Sequence, residues 1–315
     1  MSAAADTGTG TRLVADRVYS RAGGRDRLAD LYIPEGDGPF PAIIFLHGGG
    51  WRFGDRKLAP DLRRFFADDG FVMVSIDYRL SGEAIFPAAV IDTRTAIRWL
   101  RSHAAEYNID PDWIGLWGSS AGGHLAAMAA LSNADEFASG EWTDASSKVA
   151  AVMEGYGPTD FLQIDAQKGG ATLPGEDPES AKLPPPGPSA APDSLESLFV
   201  GGAISEQPER VGQASPVNYA DGASCPFLIM HGTYDAHVRA GQSRLLFDAL
   251  SAAGAQAELI EIEGLGHGFL NRNDLDDAGP HKALTYRSAT PDQAERGEIR
   301  IFDTILQFFR REMTG

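Results

Sequence analysis

Ser120 lies in Gly118-Ser119-Ser120-Ala121-Gly122, which joins the apolar run 113–117 to the alanine-rich stretch 123–130. A serine between small residues at a strand-to-helix junction sits in a tight turn that flanking glycines accommodate. The turn lifts Oγ off the sheet and leaves the free N–H groups of a helix start beneath it, where they favour developing negative charge. The chemistry this suggests is attack on an acyl carbon. A serine hydroxyl needs a base to take its proton, and the base needs a carboxylate to fix its tautomer. Asp235 ends the turn His231-Gly232-Thr233-Tyr234-Asp235 after the short apolar strand 226–230, and is the expected acid. His267 stands between Gly266 and Gly268 in the loop after the alternating strand 258–263, and is the expected base. His237 remains an alternative base. Ser119 is an alternative nucleophile, although a residue at that position of the turn points away from a cleft. A histidine base must be neutral to work, so turnover should fall towards acid pH with one dominant ionisation.

These side chains can act together only if strand ends converge on them. Residues 41–46 read as a buried strand running into His47-Gly48-Gly49-Gly50-Trp51, whose glycines let the backbone approach a carbonyl with its N–H groups turned inward. Residues 71–78 read as a central strand and 149–153 as a further one. Residues 28–33 form an early antiparallel strand. Between them, 86–108 carries Ala89, Ala96, Ile97 and Leu100 at helical spacing, and the C-terminal helix puts Ile299, Phe302, Ile305, Leu306 and Phe309 on one face. Alternating strands and helices predict an α/β fold with a mostly parallel central sheet and helices on both faces. The rhythm breaks at about 160–208, where Leu183-Pro184-Pro185-Pro186-Gly187-Pro188 replaces any periodic pattern. A long segment of this kind is either a cap over a pocket or a solvated spacer. The expected organisation is a flexible tail over 1–14 and one domain over 15–315 carrying that insertion.

The serine turn, the His-Gly-Gly-Gly loop, the acid turn and the histidine loop together make the chain resemble the α/β-hydrolase superfamily over nearly its whole length. The order Ser120, Asp235, His267 is the order of that superfamily. The resemblance implies an α/β-hydrolase fold with a cap insertion, oxyanion-hole donors at the amides of Gly49, Gly50 and Ala121, and no cofactor. Within the superfamily the chain is similar to the His-Gly-Gly-Gly carboxylesterases. Trp51 and Tyr156-Gly157-Pro158-Thr159-Asp160 look most like the feruloyl and acetyl xylan esterase-like group. Ser119 departs from the Asp usual in hormone-sensitive-lipase-like enzymes, and the His-Gly-Gly-x-Trp pattern also occurs in kynurenine formamidases. The expected activity is serine carboxylesterase hydrolysis of short-chain, aryl-linked or carbohydrate-linked esters through an acyl-enzyme. A kynurenine formamidase-like amide hydrolase is the alternative. A non-catalytic binding module on the same fold is less favoured, since all three triad residue types are present. Trp51, Phe53 and Tyr156 are candidate pocket walls.

Composition sets the outer limits. Of 315 residues, 27 are Lys or Arg and 44 are Asp or Glu, a net charge of −17 that argues against nucleic-acid or anionic-membrane partners and for a neutral or cationic substrate; with the esterase resemblance, the expected ligand is a small-molecule ester. A hydrophobic share of 43% is enough for one large core. Cys225 is the only cysteine, which excludes an intrachain disulfide and suggests a buried structural thiol. The polar loop 271–277 lacks the glycine and terminal Glu of an EF-hand loop, so no metal site is expected. With no apolar leader and no run long enough to span a membrane, the expected location is cytoplasmic, though a removed signal sequence would leave the same start.

Overall fold

The computed structural model describes residues 10–132, 136–168 and 187–313. In chain order its elements are β1 (Thr11–Ser20), β2 (Arg27–Pro34), β3 (Phe40–Leu46), α1 (Leu62–Phe65), β4 (Val72–Ile76), α2 (Ala88–Ser102), β5 (Ile109–Ser119) and α3 (Ala121–Leu131). There follow β6 (Val152–Gly155), α4 (Ile164–Lys168), α5 (Leu195–Val200), α6 (Pro208–Gln213), β7 (Phe227–Gly232), α7 (Gly241–Ala253), β8 (Ala257–Ile262), β9 (His281–Arg287), β10 (Thr290–Ile299) and α8 (Ile301–Met313). The strands form one sheet in the order β1-β2-β4-β3-β5-β6-β7-β8-β9-β10. The six central strands from β4 to β8 are parallel, and antiparallel pairs close both edges.

The strand residues alternate between two cores, as a side-chain period of two requires. On one face Ala42, Ile44, Leu46, Val72, Val74, Leu116 and Ile229 pack with apolar residues of α2, α3 and α7. On the other Ile43, Phe45, Met73, Trp117, Leu228 and Met230 pack under α1 and α8. The apolar stripe of α8, including Ile301, Phe302, Ile305 and Phe309, is fully covered. The polar loop 271–277 anchors that helix, since the Asp276 carboxylate accepts the N–H groups of Ile301 and Phe302 at 2.8 Å each. Residues 114–117 and 227–230 are buried because parallel strands are covered on both faces, and these ends carry Ser120 and the acid turn.

Several expectations change. The tail boundary at 14 falls inside β1, which begins at Thr11 and pairs with β2. The helix expected over 86–108 ends at Ser102, and Cys225 is half-buried. The hairpin β9–β10 has no counterpart in the sequence reading. Its outer strand reads Thr-Pro-Asp-Gln-Ala-Glu-Arg-Gly-Glu-Ile and is exposed for most of its length, so backbone pairing rather than an apolar face defines it. Residues 169–186 of the expected insertion lie outside the described residues, and its flanks form α4 and α5. No helix among the described residues is long and apolar enough to cross a membrane.

Candidate active site

Ser120 is the residue between β5 and α3, with φ 57° and ψ −121°. An L side chain rarely adopts that conformation, which costs about 1–3 kcal/mol and persists only where surroundings enforce it. Here the enforcement is close packing. A methyl group on Gly118 would stand 2.0 Å from the Gly122 carbonyl oxygen, and one on Gly122 would stand 2.0 Å from the Leu46 carbonyl oxygen. The Ser120 amide donates to the Gly155 carbonyl at 2.7 Å, which ties the turn to β6.

Ser120 Oγ lies 2.8 Å from His267 Nε2, and His267 Nδ1 lies 2.7 Å from Asp235 Oδ2. Burial alone would push the Asp235 carboxyl up, but the imidazoles of His267 and His231 outweigh it and hold the acid well below the usual carboxylate range. An ionised carboxylate only accepts, so the proton of His267 sits on Nδ1 and Nε2 is left to accept from the serine hydroxyl. Asp235 is itself held by four donors. Its Oδ1 accepts the backbone N–H groups of His237 and Val238, each at 2.9 Å, and its Oδ2 lies 3.2 Å from His231 Nε2 as well as near His267.

The glycine loop lies against the serine. A methyl on Gly48 would stand 3.3 Å from Ser120 Cβ. Gly49 has φ 108°, and its carbonyl accepts the amides of Arg52 and Phe53 at 3.0 Å each, so the loop curls back on itself. Among the described residues the amides of Gly49, Gly50 and Ala121 donate to no carbonyl. His47 braces the loop through Nδ1 at 2.6 Å from the Gly48 carbonyl and stacks on Tyr78 with ring centroids 4.3 Å apart.

The structure brings Ser120, Asp235 and His267 together with the glycine loop, but it disposes the candidate pocket residues differently. Trp51 is buried, donating its indole N–H to His124 Nδ1 at 3.1 Å and stacking on Phe199 of α5 at 4.5 Å. Burial lowers the His124 pKa to about 4, so that imidazole is neutral; its Nε2 donates to the Ala214 carbonyl at 2.7 Å and its Nδ1 is the acceptor. Tyr156 is also fully buried, packed beneath His267 with centroids 5.0 Å apart. Neither is an open wall, because each ring is packed inside the core. Phe53, at 64% exposure, is the surface-facing member of the three. His237 sits beside His267 with centroids 5.5 Å apart, whereas the hydrogen bond to Ser120 Oγ is made by His267. Ser119 is fully buried. Two residues at the site carry no motif in the sequence: Leu195 of α5, whose Cδ1 would lie 2.3 Å from a methyl on Gly50, and Glu154, buried in β6. The signal for Glu154 was a lone acid inside the apolar stretch 149–153 and its continuation.

Family models match this chain in two stretches: BD-FAE over residues 29–250 and the dienelactone hydrolase family over 198–310. Esterase LipC of Mycobacterium tuberculosis is 33% identical over 73% of this chain and 53% of its own length, and esterase LipQ of the same organism is 31% identical over 78% and 55%. The chain spans about half the length of the curated relatives it matches. Among solved structures, a truncated form of a carbohydrate esterase from gut microbiota aligns with TM-score 0.75 and 27% identity over 98% of this chain and 99% of that one. A thermophilic esterase of Thermogutta terrifontis with butyrate bound aligns with TM-score 0.64 and 28% identity over 85% and 89%.

Proposed function

Since the chain belongs to the BD-FAE family and has the α/β-hydrolase fold, we propose that it is a serine carboxylesterase working through an acyl-enzyme on Ser120. The observation that carries this reading is the unbroken hydrogen-bond line from Ser120 Oγ through His267 to Asp235. His267 Nε2 takes the serine proton as Oγ bonds to the ester carbonyl carbon. The resulting imidazolium donates from Nδ1 to Asp235. The negative oxygen of the tetrahedral species is held by the amides of Gly49, Gly50 and Ala121, which lie at the loop beside Ser120 and at the first turn of α3. His267 then returns the proton to the departing alcohol, and water repeats the sequence to release the acid.

The substrates proposed are short-chain, aryl-linked or carbohydrate-linked carboxylic esters. The nearly complete overlap with a carbohydrate esterase supports the last of these. The insertion acts as a cap at its described end: Leu195 covers Gly50 and Phe199 stacks on Trp51, so α5 forms one side of the approach to the glycine loop. Phe53 and Leu195, both exposed, are the apolar groups offered to a substrate there. The test is a panel of p-nitrophenyl esters from acetate to decanoate, with acetylated xylan, feruloyl esters and N-formylkynurenine beside them. Ester turnover with none on N-formylkynurenine is expected. Preferential turnover of the formamide would replace the esterase reading with an amidase one.

A further inference from the structure

Behind the triad acid lies a second row of buried polar groups that the acyl-transfer steps do not use. His231 at the end of β7, Ser243 in α7 and Glu154 in β6 are all fully buried. His231 Nε2 lies 2.8 Å from the Val238 carbonyl and 3.2 Å from Asp235 Oδ2. Both partners only accept, so Nε2 carries a proton. His231 Nδ1 lies 2.8 Å from Ser243 Oγ, which in turn lies 3.3 Å from Glu154 Oε2. Glu154 Oε1 accepts the Gly157 amide at 2.5 Å.

A hydroxyl between an imidazole nitrogen and a carboxyl oxygen has one proton to give, so the two outer groups must share one more. Either Glu154 is protonated and donates to Ser243, which donates to neutral His231, or protonated His231 donates to Ser243, which donates to the Glu154 carboxylate. Passing from the first state to the second moves the Glu154 proton to Ser243 Oγ and the Ser243 proton to His231 Nδ1, with no net gain or loss. Burial pushes Glu154 up to about 7. The charged and titratable groups that meet His231 are Glu154 from β6 and Asp235 from the turn after β7, with Tyr156 and His267 beyond them.

We propose that His231, Ser243 and Glu154 form one buried proton-sharing unit behind Asp235 that sets how much negative charge this carboxylate presents to His267. The two imidazoles compete for the same oxygen, Oδ2. With the proton on His231, Asp235 is partly neutralised from behind and His267 is a weaker base. With the proton on Glu154, the full carboxylate charge is available when His267 accepts the serine proton. These are positioning residues, since none of them touches the reacting atoms. The inference rests on the serine-esterase reading.

The test is the pH profile of kcat/KM for p-nitrophenyl acetate in wild type, Glu154→Gln, His231→Gln and the double variant. In Glu154→Gln the new amide donates to Ser243 permanently and holds His231 neutral. In His231→Gln the new amide keeps a donor towards Asp235 but carries no charge. Each single change should move the acid limb to higher pH by about half a unit, and the double change should move it no further. A purely structural role would lower kcat and leave the limb in place. An unmoved limb in folded variants, or shifts that add in the double variant, would overturn the proposal. Glu154→Gln preserves volume and carries the test if His231→Gln does not fold. Failure of the esterase reading is distinguished by the wild type, which would then show no histidine limb to move.

Discussion

Replacing Asp235 by Asn changes one atom and is resolved by counting donors. Asp235 accepts at both oxygens: two backbone N–H groups at Oδ1, and the imidazoles of His267 and His231 at Oδ2. Asn offers one acceptor and one donor group. If its NH2 turned towards His237 and Val238, two buried backbone donors would face a donor, each contact costing about 1–3 kcal/mol. The other orientation is preferred, because His231 keeps the Val238 carbonyl as an acceptor. The NH2 then faces His267 Nδ1, which must lose its proton to accept. His267 becomes the Nε2–H tautomer and presents a donor to Ser120 Oγ, so it cannot take the serine proton. The structural loss is about one charged hydrogen bond, ~2 kcal/mol, within the stability of an ordinary domain. The catalytic loss is about 10⁴-fold in kcat, as expected where the tautomer is wrong and the geometry intact. The assay is pre-steady-state acylation by p-nitrophenyl acetate, with circular dichroism confirming the fold. A folded Asp235→Asn protein within about tenfold of wild-type kcat would refute the tautomer argument.

Three further outcomes follow from the same geometry. A methyl on Gly49 meets the Phe53 carbonyl oxygen at 2.2 Å, whereas the nearest atoms to one on Gly50 belong to the Leu195 side chain, at 2.3 Å; Gly49→Ala should therefore lose far more kcat/KM than Gly50→Ala, and Leu195→Ala should restore part of the Gly50→Ala loss. Equal losses in the two glycine variants, with no rescue, would contradict the packing. Gly122→Ala puts a methyl 2.0 Å from rigid backbone at Leu46, so it should yield little folded protein on thermal melting, and a wild-type Tm would count against the elbow geometry. Glu154 is pushed up to about 7 by burial, above an unfolded value of about 4.3. Between those values the folded state holds the proton more tightly, so this group stabilises the fold at acid pH and that contribution is lost as pH rises towards 7. Glu154→Gln removes the effect and should flatten the decline between about pH 4.5 and 7.5 by ~3 kcal/mol in urea titrations. An unchanged slope would mean that Glu154 is ionised throughout.

Much of the site was legible because it depends on residue types that few other structures require. Ser120 needed small neighbours on both sides, and the distances at Gly118 and Gly122 give the reason. Asp235 and His267, which lie in line with Ser120, read in the sequence as polar residues in turns after strands, where parallel strand ends converge. Trp51 and Tyr156 look like pocket walls in the sequence yet are buried, because an aromatic beside a motif is equally a core residue. The indole N–H on His124 and the stack on Phe199 place Trp51 inside. The hairpin β9–β10 escaped notice because its outer strand buries almost nothing and so has no alternation to detect. Leu195 and Phe199 lie in a segment without periodicity, and their contacts with Gly50 and Trp51 span well over a hundred residues of chain.

The central claim is that Ser120 carries the acyl group. The direct measurement is to mix the protein with p-nitrophenyl acetate, quench in acid before deacylation, and map the modified peptide by mass spectrometry. One acetyl group per chain is expected on Ser120, with a matching burst of p-nitrophenol and neither signal in Ser120→Ala. Acetylation elsewhere, or a burst that survives in folded Ser120→Ala, would contradict the account.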